Sequence, residues 1–162
     1  MGNMIKVGMA DWKACKAPDA LTTLGLGSCV GVCLYDPVTK VSGMAHVMLP
    51  DSTQIAKETN RAKFADTGIE DLLSAMKTMG AIQNRLTAKI AGGAQMFAFS
   101  AAVGDLMRIG DRNVAAVKSK LATLGISIIA EDTGLNYGRT IEFFSEDGSL
   151  TVKSVGKDKK VI

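Results

Sequence analysis

The strongest constraint in this chain is a pair of β-rich runs around a turn. Cys29 to Tyr35 and Val41 to Leu49 flank Asp36-Pro37-Val38-Thr39-Lys40. Asp and Pro supply turn chemistry, and apolar runs on either side of such a loop pair as a hairpin. Counting outward from the turn, Cys29 lies seven positions before Asp36 and His46 six after Lys40. The chain's one histidine is thereby expected close to a cysteine at the open end of the hairpin. Directly before that cysteine runs Gly25-Leu26-Gly27-Ser28. Glycine tolerates tight backbone bends, and successive free N–H groups make a pocket for developing negative charge.

Length and composition bound what surrounds this hairpin. A chain of 162 residues and 17.0 kDa fits one domain, expected over residues 1–156, with 157–162 as a flexible tail. Hydrophobic content of 47% with 22% charged residues is that of a soluble globular protein. A net charge of +3 is too weak to argue for nucleic acid, and the one basic cluster, Lys157-Asp158-Lys159-Lys160, has no interleaved aromatics. No apolar run approaches the roughly 18 residues of a membrane span, so no membrane insertion is expected. The first residues show no secretory signal, and three irregularly spaced cysteines suit a reduced, cytoplasmic protein.

Elsewhere the pattern predicts a strand over Met4 to Met9, then a loop from Asp11 to Ala20 broken by Pro18-Asp19. After a polar connector, Ser52 to Asn60, the period changes. Phe64, Ala65, Ile69, Leu72, Leu73, Met76 and Met79 form one stripe of an amphipathic helix that Gly80 ends. Leu86 to Ala91 predicts a short buried strand. Ala94 to Leu106 carries no assignable pattern, and Met96 to Val103 within it suits a core segment or an exposed docking patch equally. Asp111 predicts the N-cap of a second helix with apolar positions Val114, Val117, Leu121 and Leu124. Ile126 to Ala130 reads as a continuous apolar strand, and Arg139 to Phe144 with Leu150 to Val155 as a hairpin. Strands outnumber helices, which predicts an α+β domain of mixed or antiparallel sheets with helices packed outside.

The ordinary role of a strand cysteine is that of a small core hydrophobe, and Cys33, inside Val32 to Leu34, fits it. Cys15 reads as a surface or half-buried thiol. At Cys29 the glycine bend predicts a thiol turned outward beside free amides. A thiol with a free pKa of about 8.5 needs a base near neutral pH. Imidazole can take that proton and return it to a leaving amine, which is the role open to His46. A third group should hold the ring, and Thr22 and Thr23 are at hand, with Thr23 preferred. Zinc on Cys15, Cys29, Cys33 and His46 is opposed by the spacing, which has no Cys-x-x-Cys knuckle. The glycine run also lacks the Lys-Ser/Thr of a P-loop and the full dinucleotide fingerprint. Gly92-Gly93-Ala94 and Gly134 to Arg139 read as turns that let layers pack closely.

Six pieces in order carry a resemblance: Leu26-Gly27-Ser28-Cys29-Val30, Asp36-Pro37, His46 with Leu49-Pro50, Lys89 to Ala94 (KIAGGA), Ile109-Gly110-Asp111-Arg112-Asn113, and Gly138-Arg139. Together they resemble the CheD family of chemoreceptor glutamine deamidases, from about Leu21 to Val155. The resemblance implies a single domain of layered sheets with outer helices, similar to the cytotoxic necrotizing factor-type deamidases. It implies a Cys–His–Thr site at Cys29, His46 and Thr23, the threonine six residues before the cysteine. It implies oxyanion or substrate contacts at Gly27 and Ser28, a thioester intermediate, and neither metal nor organic cofactor. Receptor cytoplasmic helices would be the substrate. The CheC response-regulator phosphatase would be a partner that the protein binds and stimulates, and that role could outweigh catalysis. Two positions depart from the family pattern: Ala91 where an aromatic precedes Gly-Gly-Ala, and Gly134-Leu135 where paired glycines are usual. Both bear on the substrate surface rather than the nucleophile.

Overall fold

Residues Val30–Asp36 (β4) and Val41–Val47 (β5) form the expected hairpin. Its turn is held by the Asp36 carboxylate, which accepts the amides of Val38 at 2.9 Å and Thr39 at 3.3 Å. Lys40 takes a positive φ of 57° to close it, and its amide donates to the Asp36 carbonyl. Every residue of both strands is buried, so they read as continuous apolar runs rather than alternating ones.

A computed structural model describes residues 2–54, 60–96 and 108–162. Among them the remaining strands are Met4–Lys6 (β1), Asp11–Lys16 (β2), Ala20–Leu26 (β3), Thr87–Gly92 (β6), Ser127–Thr133 (β7), Arg139–Phe144 (β8), Leu150–Lys153 (β9) and Lys160–Val161 (β10). The helices are Ala65–Thr78 (α1) and Ile109–Thr123 (α2). One sheet runs β2-β5-β4-β6-β7 and places the hairpin at its centre; the second runs β1-β3-β8-β9-β10.

Alternation along the hairpin sorts its side chains between two cores. Val30, Val32, Leu34, Val41, Ala45 and Val47 pack with Ile69, Leu72 and Met76 of α1 and with Val117 and Leu121 of α2. Gly43 leaves room there: a Cβ would stand 2.6 Å from Leu72 Cδ1 and 2.7 Å from Met76 Sδ. Cys29, Cys33, Tyr35 and Met44 face the other way, against Leu21, Leu26, Ile141 and Phe143 of the second sheet. Each such side chain contributes about 1.5–3 kcal/mol by leaving water. The site described below lies in this second core, between the sheets.

Several elements differ from the sequence expectation. Asp11 to Ala20 contains strand β2, whose polar residues pair with β5 from Asp11↔His46 to Lys16↔Val41. Its edge position explains the polar composition that reads as loop. The first strand stops at Lys6. Strand β7 is also an edge strand and alternates in exposure, with Ile129 58% exposed, so it is not the continuous buried run expected. Helix α2 begins at Ile109 after Arg108, so Asp111 is not the N-cap but a first-turn acid, favoured there by the helix dipole. The tail expected to fray is pinned: β10 pairs with β9, Leu150 and Ile162 exchange two backbone hydrogen bonds, and Lys89 Nζ donates to the Ile162 carbonyl at 2.7 Å. Its partners are the preceding strand β9 and the side chain of Lys89, 73 residues away, and the charged composition of the tail reveals neither. Of the unassigned stretch Ala94 to Leu106, residues from 97 on lie outside the described residues, as does most of the Met96 to Val103 docking patch.

Candidate active site

Strand β3 presents Thr22 and Thr23 to opposite sides. The Thr22 hydroxyl donates to the Ile141 carbonyl of the neighbouring strand, 2.8 Å away. Thr23, fully buried, reaches into the space between the sheets and lies 2.7 Å from His46 Nδ1. Of the two threonines, Thr23 is the one the fold brings to His46. A hydroxyl has one proton, and Thr23 donates it to the Val7 carbonyl at 2.7 Å. Towards the ring it acts as acceptor. His46 consequently carries its proton on Nδ1 and turns a bare Nε2 lone pair inward. Nε2 is buried and has no hydrogen-bond partner among the described residues. Burial lowers the His46 pKa below its ordinary 6.5, so the ring rests neutral.

Cys29 ends a bend over Gly27–Cys29 that enters β4. Across the hairpin His46 faces Gly31, and Cys29, two residues earlier, is its diagonal neighbour on the same face. The space that a side chain at Gly31 would take is filled by Ile141 and Leu26, and His46 itself is fully buried. The expected outward thiol is not found: Cys29 is only 9% exposed and packs in the inter-sheet core. Its carbonyl is tied to the Gly93 amide at 2.8 Å, and its side chain packs among the residues between the sheets. Burial raises the thiol pKa, while its own backbone amide, close to the sulfur, works in the opposite direction. Thiol and imidazole are thus both shifted toward their uncharged forms at rest, so a reaction through the pair would need the proton to pass from sulfur to the ring.

The Gly25-to-Ser28 run divides its tasks. Gly25 has φ of +67° and sits where the β3–β8 register shifts between Thr23 and Leu26, so it redirects the strand into the bend. Gly27 has no such angle; a Cβ there would stand 3.2 Å from Met96 Cγ. The carbonyls of Gly27 and Ser28 are engaged by the Ala94 amide at 2.9 Å and Asn113 Nδ2 at 2.9 Å. The amides of Ser28 and Cys29 make no hydrogen bond to another residue among the described residues. They remain available to an oxyanion.

Cys33 lies wholly in the core with its pKa pushed up by burial, as expected. Cys15 is buried rather than surface-exposed, 3.3 Å from Ser145 Oγ and 3.5 Å from Ser42 Oγ. Sequence reasoning missed the supports of the bend. Gly92 and Gly93 do more than let layers pack: a Cβ on Gly92, at φ +107°, would lie 2.3 Å from the Cys29 carbonyl oxygen. The motif Ile109 to Asn113 was visible in the sequence, but nothing in it signalled that Asn113 reaches the bend.

A family model described as CheD, chemotactic sensory transduction, matches residues 48–154. A protein of Lachnoclostridium phytofermentans named probable chemoreceptor glutamine deamidase CheD is 64% identical over the whole of both chains. The chain belongs to the CheD family. A Halalkalibacterium halodurans protein named chemoreceptor glutamine deamidase CheD is 55% identical, again over all of both chains. A Caldanaerobacter subterraneus protein, named as a probable member, is 58% identical over 98% of each. Among solved structures, a Neisseria meningitidis protein of family DUF152 aligns with a TM-score of 0.51 at 11% identity, covering 90% of this chain and 71% of its own. That likeness concerns the fold alone. The expected α+β architecture, layered mixed sheets with helices packed outside, is the fold this family member adopts.

Proposed function

We propose that the protein deamidates glutamine side chains on the cytoplasmic helices of chemoreceptors, with Cys29 as nucleophile, His46 as proton carrier and Thr23 as the holder of the ring. One observation carries the chemistry: the Thr23 proton is committed to Val7, which leaves His46 Nε2 bare on the face that bears Cys29. The names borne by relatives 55–64% identical over the full chain supply the substrate class.

Sulfur attacks the carboxamide carbon as His46 Nε2 takes the thiol proton. The carbonyl electrons move to oxygen, where the Ser28 and Cys29 amides can receive them. His46 then gives its proton to nitrogen as the C–N bond breaks, so ammonia leaves and a thioester remains. Water, losing a proton to the same Nε2, attacks the thioester, and the departing sulfur recovers a proton. Glutamate is the product. Every step is met by residues of this chain, without metal or cofactor.

No helix among the described residues is long and apolar enough to cross a membrane. A cytoplasmic location fits the reading, since the receptor segments concerned would be reached there. Exposed Leu24 and Met96 border the bend and suit the apolar stripe of a substrate helix. A CheC-type phosphatase, the partner implied by the resemblance, would cover the same bend. Incubation with a receptor cytoplasmic fragment and mass mapping of glutamine-to-glutamate conversion tests the proposal. Equal conversion by Cys29→Ala would overturn it, and competition by CheC would reveal the shared surface.

A further inference from the structure

Three consecutive carbonyls around the nucleophile are held from behind: Gly27 by the Ala94 amide, Ser28 by Asn113 Nδ2, and Cys29 by the Gly93 amide. A trans peptide is planar, with its C=O and the following N–H pointing opposite ways. Whatever holds the Ser28 carbonyl therefore aims the Cys29 amide. Asn113 is fully buried on α2, 85 residues from Ser28 in sequence. Its second Nδ2 hydrogen goes to the carbonyl of Met48, 3.0 Å away and two residues beyond His46. Its Oδ1 is buried and has no partner among the described residues, so the amide group serves through the two bonds it donates.

The placement of α2 makes this reach possible. A Cβ on Gly110 would lie 2.5 Å from the Ala94 carbonyl oxygen and 2.6 Å from that of Gly93. The helix therefore seats directly on the two residues whose amides hold Gly27 and Cys29. Bend, Gly-Gly-Ala corner and helix form one rigid cradle.

We propose that Asn113 is a positioning residue for deamidation. Through the Ser28 carbonyl it aims the Cys29 amide at the developing oxyanion, and through the Met48 carbonyl it ties the bend to the strand that carries His46. The inference rests on Cys29 being the nucleophile.

The test compares Asn113→Ala and Asn113→Ser with Leu121→Ala, a cavity on the same helix that serves as a stability control. On a receptor fragment, Asn113→Ala should lower kcat about 100-fold, the effect of losing one oxyanion donor, with KM unchanged. Alkylation of Cys29 by iodoacetamide develops no oxyanion, so its limiting rate at high pH should match that of the wild type. Leu121→Ala should lose thermal stability and keep its kcat. Wild-type kcat in Asn113→Ala would overturn the proposal, as would a parallel fall of kcat and alkylation. Should Asn113→Ala fail to fold, Asn113→Ser, which keeps one short donor, is judged by the same criteria. A wild-type protein without deamidase activity would sink the proposed function instead. The Cys29 amide resonance of labelled protein then decides on its own: it must move in Asn113→Ser and stay in place in Leu121→Ala, and any other pattern rejects the role of Asn113.

Discussion

Thr23 and His46 are joined by a 2.7 Å hydrogen bond whose direction is set by a third residue. Because the Val7 carbonyl takes the only proton Thr23 has, the ring must donate from Nδ1. A neutral hydroxyl therefore does here what a carboxylate does in other nucleophile–histidine pairs, fixing the tautomer without adding charge to a dry site.

Replacement of Thr23 should separate acceptor from bulk. Thr23→Val keeps the shape but leaves Nδ1–H without a partner, and kcat should fall about 10- to 100-fold, a part of the roughly 100- to 10,000-fold that a general base contributes. Thr23→Ser should restore most of the loss. Steady-state rates on a receptor fragment measure both.

Both members of the resting pair are shifted toward their uncharged forms, which sets the pH behaviour. With the His46 pKa below its ordinary 6.5, the ring stays a competent base under that pH, and the acid limb of the rate profile should lie on the acidic side of 6.5. With the Cys29 pKa raised above 9.0, iodoacetamide alkylation should show a midpoint on the alkaline side of that value. A midpoint near neutrality would indicate a preformed thiolate–imidazolium pair and contradict the burial argument.

Asp36 anchors the hairpin turn from a fully buried position. Burial pushes its carboxyl upward, but Arg85 and the amides of Ile82, Val38 and Thr39 outweigh that and hold it well below the ordinary 3.8. A depressed folded-state pKa means stability that is present above the unfolded value and lost as pH falls below it. Asp36→Asn should cost about 3 kcal/mol at neutral pH, as breaking a buried pair does, and should shrink the wild type's loss of stability below pH 3.8. Urea unfolding at two pH values reads both effects.

Gly92→Ala tests the cradle from the side of the corner. Its new Cβ would overlap the Cys29 carbonyl oxygen at 2.3 Å and require a non-glycine residue at φ +107°. Loss of activity should exceed loss of thermal stability, because the clash falls on the bend. Melting curves beside activity on the receptor fragment give the comparison.

Local patterning alone determined the hairpin, the apolar stripe of α1 and the register that sets Cys29 two residues before the partner of His46. All three rest on neighbours in sequence: a turn residue, a helical period, a count along paired strands. It also carried the family resemblance. Strand β2 stayed hidden because an edge strand draws its order from the pairing with β5 rather than from its own propensity. The choice of Thr23 over Thr22 depended on which side of β3 faces the first sheet. The tautomer depended on Val7, and the aim of the Cys29 amide on Asn113, 85 residues beyond Ser28. Hydrogen bonds between remote segments leave no period or composition behind, so only packing of the three layers could decide them.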